Sequence, residues 1–192
     1  VMHGVTLDSN NAINTGNDNS VGGAIFATNS GINSSVLSLT NSTVSNNQAD
    51  SHGGGVYVQS FSGREHKVLF NNVTFDSNTA SAEAANDRDG GGFYLTGSDA
   101  DVEMNTVTFQ DNSTGDIGGG MLITGARNMI TIDNGTFVRN SAVDGGGFAT
   151  DGHLLDITIN NSTIGGADDG GADASFQRVV GTHATEQRRG YP

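Results

Sequence analysis

A five-residue phrase, Thr-apolar-x-x-Asn, recurs along this chain of 192 residues, and a cluster of small residues rich in glycine follows each copy. Successive copies begin 27 to 37 residues apart. Repetition at such an interval is typical of solenoids, in which each unit stacks on the next. The copies are Thr6–Asn10, Thr43–Asn47, Thr74–Asn78, Thr108–Asn112, Thr136–Asn140 and a decayed Thr163–Ala167.

Each unit has one part of nearly constant length and one part of free length. From the end of a glycine cluster to the next repeated Thr the distance is 19 or 16 residues, whereas 5 to 12 residues separate each Asn from the next cluster. The constant part predicts a structural frame, and the free part predicts a projecting loop. The clusters are Gly22–Ala24, Gly53–Gly55, Gly90–Gly92, Gly118–Gly120, Gly145–Gly147 and Gly170–Ala172.

Within the constant part, apolar residues alternate with polar ones, which is the period of a β-strand. Leu37 and Leu39 show the pattern, as do Val68 and Phe70. A second alternating stretch follows each glycine cluster, and each Thr-apolar phrase belongs to a third. Three short strands per unit predict an all-β, single-stranded parallel β-helix of about six turns. At about 4.8 Å per turn the rod would be about 29 Å long.

Residues at one repeat position should lie above each other in such a stack. The position after each Thr is apolar in all six copies, so this column should point inward. The Asn column should form a ladder of side-chain amides, each of which can both donate and accept a hydrogen bond. The apolar column is Leu7, Val44, Phe75, Phe109, Phe137 and Ile164, and the ladder is Asn10, Asn47, Asn78, Asn112 and Asn140.

Two short elements carry a resemblance to a known family. Gly-Gly-Ala-Ile at 22–25, and Phe-x-x-Asn at 75–78, 109–112 and 137–140, resemble the GGA[ILV] and FxxN repeats of polymorphic outer membrane proteins. The resemblance extends over residues 1 to about 172. It implies a right-handed parallel β-helix that is exported to a cell surface, commonly for adhesion. Leu7, Val44 and Ile164 replace the Phe of that pattern.

The repeat pattern divides the chain into two parts. Residues 1–176 are predicted to form the β-helix, with a truncated first repeat and a decayed last one. Residues 177–192 lack the pattern and would be a C-terminal cap or a disordered tail. Because Met2 already occupies a core position of the repeat, we expect the first residue to lie inside a longer array.

The composition restricts the partners. With 21 acidic against 8 basic residues, the net charge is −13, which disfavours nucleic acid and anionic membranes as ligands. No apolar run is long enough to span a membrane, so direct membrane insertion is not expected. There is no cysteine and hence no disulfide. Carbohydrate, protein and self-association remain as possible partners, and no cofactor is expected apart from calcium.

One column of larger side chains is predicted on the outer surface, two residues after the glycine clusters. Its members Phe26, Tyr57, Tyr94 and Leu122 alternate with inward residues, so they should form a strip that faces solvent. Exposed aromatic strips bind sugars or proteins. The alternative is that a variable loop folds over the strip.

Acidic residues precede several glycine clusters, and adjacent turns should gather them at one edge. Clustered Asp oxygens on loops can bind Ca²⁺. No known calcium-binding repeat accompanies them, so these residues are weak candidates and no metal ligand is assigned. The candidates are Asp116, Asp144, Asp168 and Asp169.

A third outward column consists of the repeated Thr residues themselves. A regular hydroxyl array resembles the faces of ice-binding solenoids, although Thr also favours strands without any ligand. Asn-x-Ser/Thr sequons are frequent because the repeat phrase generates them, and Asn112 should be blocked inside the ladder. The sequons begin at Asn33, Asn41, Asn72, Asn112, Asn134, Asn160 and Asn161.

β-Helices also include enzymes that degrade polysaccharides. A polygalacturonase-like site would need Asp-Asp followed by Gly-His-Gly along one face, and only Asp168-Asp169 is found. No Arg or Lys recurs at one repeat position beside the acidic edge, so no catalytic residue is predicted. The favoured function is a non-catalytic extracellular or cell-surface segment that is structural or adhesive. A polysaccharide lyase or hydrolase is the alternative, and an ice-binding solenoid is the third possibility.

Overall fold

The computed structural model describes residues 1–13, 20–29, 34–63, 65–81, 89–166 and 174–179. All regular structure in these ranges is β-strand. The strands in chain order are β1 (Met2–His3), β2 (Thr6–Asp8), β3 (Asn11–Ala12), β4 (Ile25–Thr28), β5 (Ser35–Ser45), β6 (Gln48–Ala49), β7 (Val56–Ser60), β8 (His66–Asp76), β9 (Thr79–Ala80), β10 (Phe93–Gly97), β11 (Ala100–Gln110), β12 (Ser113–Thr114), β13 (Met121–Ala126), β14 (Met129–Asp133), β15 (Thr136–Asn140), β16 (Phe148–Asn160), β17 (Thr163–Gly166) and β18 (Ala174–Val179).

The strands form three faces, and every pairing between them is parallel. The long face contains β1, β2, β5, β8, β11, β14, β15, the second half of β16 and β17. The glycine-side face contains β4, β7, β10, β13, the first half of β16 and β18, and the short face contains β3, β6, β9 and β12. Each strand thus pairs with its equivalent in the next turn, or rung, and the predicted parallel β-solenoid is confirmed.

The predicted repeat register is also confirmed. Thr74 pairs with Thr43 on one side and with Thr108 on the other, and Phe75 pairs with Val44 and Phe109. Between 26 and 40 residues separate the two ends of the hydrogen bonds that join neighbouring rungs, as in Asn47 to Leu7 and Gly118 to Asp144. The chain therefore advances by one rung per repeat.

The predicted count of six turns with three strands each is only partly right. The first four rungs have strands on all three faces, but the short face ends at β12 and continues only as an isolated bridge between Ser113 and Ser141. The fifth rung keeps strands on the long and glycine-side faces, and the residues of the sixth rung that would continue the short face lie outside the described ranges. The loop from Asn140 to the next glycine cluster is one residue shorter than the loops after Asn47 and Asn112, which contain β6 and β12. β18 covers residues on both sides of the predicted boundary at residue 176.

The core is a single column of apolar side chains along the solenoid axis. Phe75, Phe109 and Phe137 are fully buried and stack almost parallel, with ring centroids 4.4 and 4.8 Å apart and interplanar angles of 1° and 4°. Successive rungs impose this geometry because their backbones are held at the interstrand distance. The apolar position of the repeat phrase therefore builds the core, as predicted.

The asparagine ladder lies beside this column. Nδ2 of Asn78 donates to Oδ1 of Asn112 at 2.9 Å and to the carbonyl oxygen of Val44 at 2.9 Å. Asn112 repeats the arrangement with Asn140 and Phe75. Each Oδ1 also accepts from the backbone N–H of the preceding ladder residue, as in Asn78 to Asn112 at 3.0 Å. The ladder satisfies buried amides and backbone groups at a bend of the chain.

The glycine clusters allow neighbouring backbones to approach closely. A Cβ atom added at Gly91 would lie 2.4 Å from the carbonyl oxygen of Gly119 and 2.5 Å from that of Ser113, which are impossible contacts. Gly90 has a φ of +62°, in the left-handed region that favours glycine. The clusters are therefore required by the close packing of neighbouring rungs.

A corner of the long face places one residue per rung in the left-handed region. Asn41, Asn72, Asn134 and Asn161 have φ values between 49° and 57°, and Nδ2 of Asn72 donates to Oδ1 of Asn41 at 2.8 Å. Thr106 occupies the same corner with a φ of 53°. Asparagine adopts this conformation at little cost, whereas a β-branched side chain such as that of Thr106 is strained in it.

We expect Thr106→Asn to raise the free energy of unfolding by about 0.5 to 1 kcal/mol, because it removes backbone strain and lets the new amide donate to Asn72. Chemical denaturation followed by circular dichroism measures this change. Thr108→Asn is the control, since Thr108 lies in regular strand β11. An equal or larger gain in the control would show that strain at residue 106 is not the cause.

Candidate functional site

The predicted aromatic strip exists on the outer side of the glycine-side face. Phe26 pairs with Tyr57, Tyr57 with Tyr94, and Tyr94 with Leu122. The ring centroids of Phe26 and Tyr57 are 5.5 Å apart, and those of Tyr57 and Tyr94 are 5.3 Å apart. Alternation along the strands thus places these residues opposite the core, as expected.

The predicted exposure of the strip is wrong for three of its four members. Tyr57 is 9% exposed, Tyr94 is 8% exposed and Leu122 is 1% exposed, whereas Phe26 is 53% exposed. The three covered residues form a second, smaller cluster with Ala149. Burial and the neighbouring Tyr94 raise the pKa of Tyr57 to about 12, so its hydroxyl stays neutral.

The cover comes from residues that immediately precede the glycine clusters. Val21 and Ile117 pack against the cluster. The imidazole of His52 stacks on Tyr94 with centroids 4.9 Å apart, and its Nδ1 lies 3.6 Å from Oδ2 of Asp89. These residues end the variable loops. The strip is therefore buried because loop segments fold over it, which is the alternative to a solvent-facing strip stated above. Phe26 remains as the uncovered end.

The acidic edge is assembled only in part. Asp89, Ile117 and Asp144 follow each other in consecutive rungs through parallel bridges, and Asp116 and Asp144 are half-buried. The calcium candidates Asp168 and Asp169 lie outside the described residues. In the part of the chain that the structure describes, no group of three His, Asp or Glu side chains is arranged to hold a metal ion. Calcium binding stays a prediction.

Charged side chains on the outer surface are paired from one rung to the next. Arg127 donates to both carboxylate oxygens of Asp99 at 2.7 and 2.9 Å, and Arg139 binds Asp111 in the same two-pronged way at 2.8 and 2.6 Å. Hydrogen bonds from Arg127 lower the pKa of Asp99 to about 2, and those from Arg139 lower the pKa of Asp111. These carboxylates are therefore ionised at neutral pH.

The only lysine of the chain takes part in the same kind of contact. Nζ of Lys67 lies 2.6 Å from Glu103 and 3.1 Å from Asp101. These hydrogen bonds raise the pKa of Lys67, so it remains a cation. Lys67, Asp101 and Glu103 thus link two neighbouring rungs of the long face.

The Thr column points outward, as predicted, and its members pair in register along the long face. Thr43, Thr74, Thr108 and Thr136 are half-buried. Of the sequon residues, Asn112 is fully buried and Asn33 lies outside the described ranges. The exposed sequon residues are Asn41, Asn72, Asn134, Asn160 and Asn161.

The sequence reasoning missed the ion pairs between rungs. Asp99 and Arg127, like Asp111 and Arg139, are 28 residues apart, which is one repeat. Aligning the repeats with each other would have placed each Arg beside its Asp at the same corner of neighbouring rungs. The stacking of His52 carries no comparable signal, because the loop before it varies in length from one repeat to the next.

Comparison with family models finds that the Chlamydia polymorphic membrane protein repeat matches residues 41–59. The matched segment includes Asn47 of the ladder, the cluster Gly53–Gly55 and most of β7. Together with the parallel β-solenoid, the match confirms the predicted repeat type for this rung. Comparisons with curated proteins and with solved structures give no match. The described residues also contain no helix with the length and hydropathy of a membrane span.

Proposed function

We propose that this chain is a non-catalytic segment of an extracellular or cell-surface β-helix, which acts as a structural stalk and attaches to a surface ligand through Phe26. The observation that carries the proposal is the use of charged side chains as links between rungs. Lys67, Arg127 and Arg139 each join carboxylates of a neighbouring rung. Such contacts stiffen a rod along its axis.

The ionisation of these groups supports a non-catalytic role. A general base works best when its pKa lies near the operating pH. The arginine pairs instead hold Asp99 and Asp111 in the ionised form with lowered pKa values. Lys67 is a permanent cation for the same reason, so these groups hold charge and do not exchange protons.

The repeat type supports the location. The repeat matched at residues 41–59 is described from polymorphic membrane proteins of Chlamydia. A segment of a surface-exposed protein of that kind would extend from the cell and present its outer faces to a ligand. The net charge of −13 suits an aqueous, exposed rod.

Phe26 is the best candidate for a contact point on the aromatic strip. Its ring is more than half exposed while Tyr57 supports it from one side at 5.5 Å. A supported ring loses little freedom on binding and offers an apolar face to a sugar or to an apolar side chain. The exposed Thr28 and half-buried Gln59 lie two residues further along the same strands and add polar groups.

Retention of beads coated with the chain on a glycan array and on immobilised cell-surface proteins tests this proposal. We expect the unmodified chain to be retained and Phe26→Ser to lose at least about tenfold in retention, because the apolar contact is removed. Val36→Ser is the matched control, since Val36 is equally exposed on the long face. Equal loss in the control, or no loss in Phe26→Ser, would contradict a contact through Phe26.

The alternative functions have distinct outcomes. Cleavage of a polyuronide that Asp168→Ala or Asp169→Ala abolishes would replace the stalk proposal with a polysaccharide-degrading enzyme. Arrest of ice growth that Thr74→Lys or Thr108→Lys abolishes would favour an ice-binding solenoid instead.

A further inference from the structure

A histidine is buried at the corner that joins the glycine-side face to the long face. His66 begins β8, six residues after the end of β7, and its side chain is 1% exposed. In the neighbouring rungs the same position holds Ser35 and Ala100. The next rung places Asn128 there, whose Oδ1 accepts the backbone N–H of Ala100 at 2.9 Å. His66 is therefore the one titratable side chain among these four positions.

The hydrogen bonds of His66 suit only the neutral ring. The imidazole donates to the backbone carbonyl of Gln59. Its Nδ1 is buried and has no hydrogen-bond partner, and the hydroxyl of Ser35 in the adjacent rung is likewise buried and unpaired. A neutral imidazole with one N–H satisfies its donor through Gln59. A protonated ring has two N–H donors, and the second has no hydrogen-bond partner in the closed corner.

Among the described residues, no charged group is paired with the imidazole of His66 in the closed corner. Glu65 precedes it and is exposed, and Lys67 follows it with its side chain paired to Asp101 and Glu103. On the next rung, Asp99 accepts from Arg127 and from the backbone N–H of Gly63. These carboxylates already have cationic or N–H partners and are directed to the surface. From the inner side the pairing neighbours of His66 are Ser35 and Ala100, which are uncharged.

We propose that His66 is an acid-sensitive latch, which keeps the corner between β7 and β8 closed while its ring is neutral and releases that corner when the ring is protonated. Protonation inside the corner would bury a cation with an unpaired donor. The ring can gain water only if residues around it move outward. Such opening would break the hydrogen bonds that join Phe61 to Asn29 and Gly63 to Asp99.

The direction of the pH effect follows from the two states of the ring. Burial lowers the pKa of His66 from its ordinary value of 6.5, and the hydrogen bond to Gln59 opposes this shift only in part. In the open corner the ring recovers that ordinary value. The stability of the closed corner is therefore complete above about pH 6.5 and is lost as the pH falls from there toward the lower pKa of the closed state. At pH 5 the population of the open corner should rise by up to about 30-fold over that at pH 7.5.

Hydrogen exchange of the full chain, followed by mass spectrometry, tests the latch. At pH 7.5 and pH 5.0, after correction for intrinsic exchange, peptides that span residues 58–70 should lose protection at the lower pH. Peptides that span residues 129–140 should change little. In His66→Asn and His66→Ala, which place the residue types of the neighbouring rungs at this position, the pH-dependent loss at 58–70 should disappear.

His153→Gln is the matched control, since this exposed histidine lies in β16 away from the corner. It should retain the unmodified response at residues 58–70. The same loss of protection in the His66 variants as in the unmodified chain would overturn the proposal, and so would unchanged protection of the unmodified chain at pH 5.0. If one His66 variant fails to fold, the other provides the comparison. Nitrogen NMR of the imidazole at pH 6.0 provides a direct second readout, in which His66 should be less protonated than a histidine of ordinary pKa.

Discussion

Phe109→Ala should lower the free energy of unfolding by about 3 to 5 kcal/mol. Phe109 is fully buried and stacks between Phe75 and Phe137, so its removal leaves a cavity with rings on both sides. The backbone cannot close this cavity, because the hydrogen bonds between rungs hold the three strands at a fixed distance. Urea denaturation monitored by circular dichroism would give the difference from the change in midpoint and slope.

Phe26→Ala is the control for this measurement. The same atoms are removed, but Phe26 is more than half exposed at the end of the aromatic strip. We expect a loss of less than about 1 kcal/mol there, because little area leaves water at this position. A Phe109→Ala midpoint that barely moves would contradict the inward column on which the fold rests.

Asn112→Asp should cost at least about 3 kcal/mol at neutral pH, since it places an unpaired negative charge in the ladder. The amide of Asn112 donates to the carbonyl oxygen of Phe75 and to Oδ1 of Asn140, at 3.0 and 2.9 Å. A carboxylate can make neither bond and would face two acceptors. Its Oδ1 could still accept from Asn78, as the amide does now at 2.9 Å.

The pH dependence of this variant gives a sharper test than its stability alone. The buried carboxyl would have a raised pKa, and its protonated form can donate one hydrogen bond. The difference in stability between variant and unmodified chain should therefore be largest at neutral pH and shrink as the pH falls. Asn105→Asp, in the same rung but exposed on β11, should show little difference at any pH. A deficit that stays constant across pH would contradict the buried charge as its cause, and no deficit at any pH would mean that the ladder does not require the amide.

The repeat spacing was sufficient to predict the fold, because a parallel solenoid makes sequence distance equivalent to spatial position. Phe75 and Phe109 are 34 residues apart and pair in register, as their place in the phrase predicts. The Asn ladder follows for the same reason. The same logic would have revealed the arginine pairs, since each partner lies one repeat away at the same corner.

Positions that depend on the variable loops were less predictable. Tyr57 and Tyr94 were expected to face solvent, and alternation along the strand does place them outside the core. Their burial depends on His52, Val21 and Ile117, which end loops of different lengths. No repeat spacing relates those residues to the rings that they cover, so the pattern could not decide between a bare strip and a covered one.

The amino-acid sequence by itself determined the parallel stacking, the apolar column and the ladder, because these depend on residues that recur at each rung. Only the tertiary structure decided what lies over the aromatic strip and what surrounds His66. Both depend on contacts between non-equivalent positions, where a loop end or a corner packs differently in each rung. The burial of Tyr57 and the burial of His66 both have that physical reason.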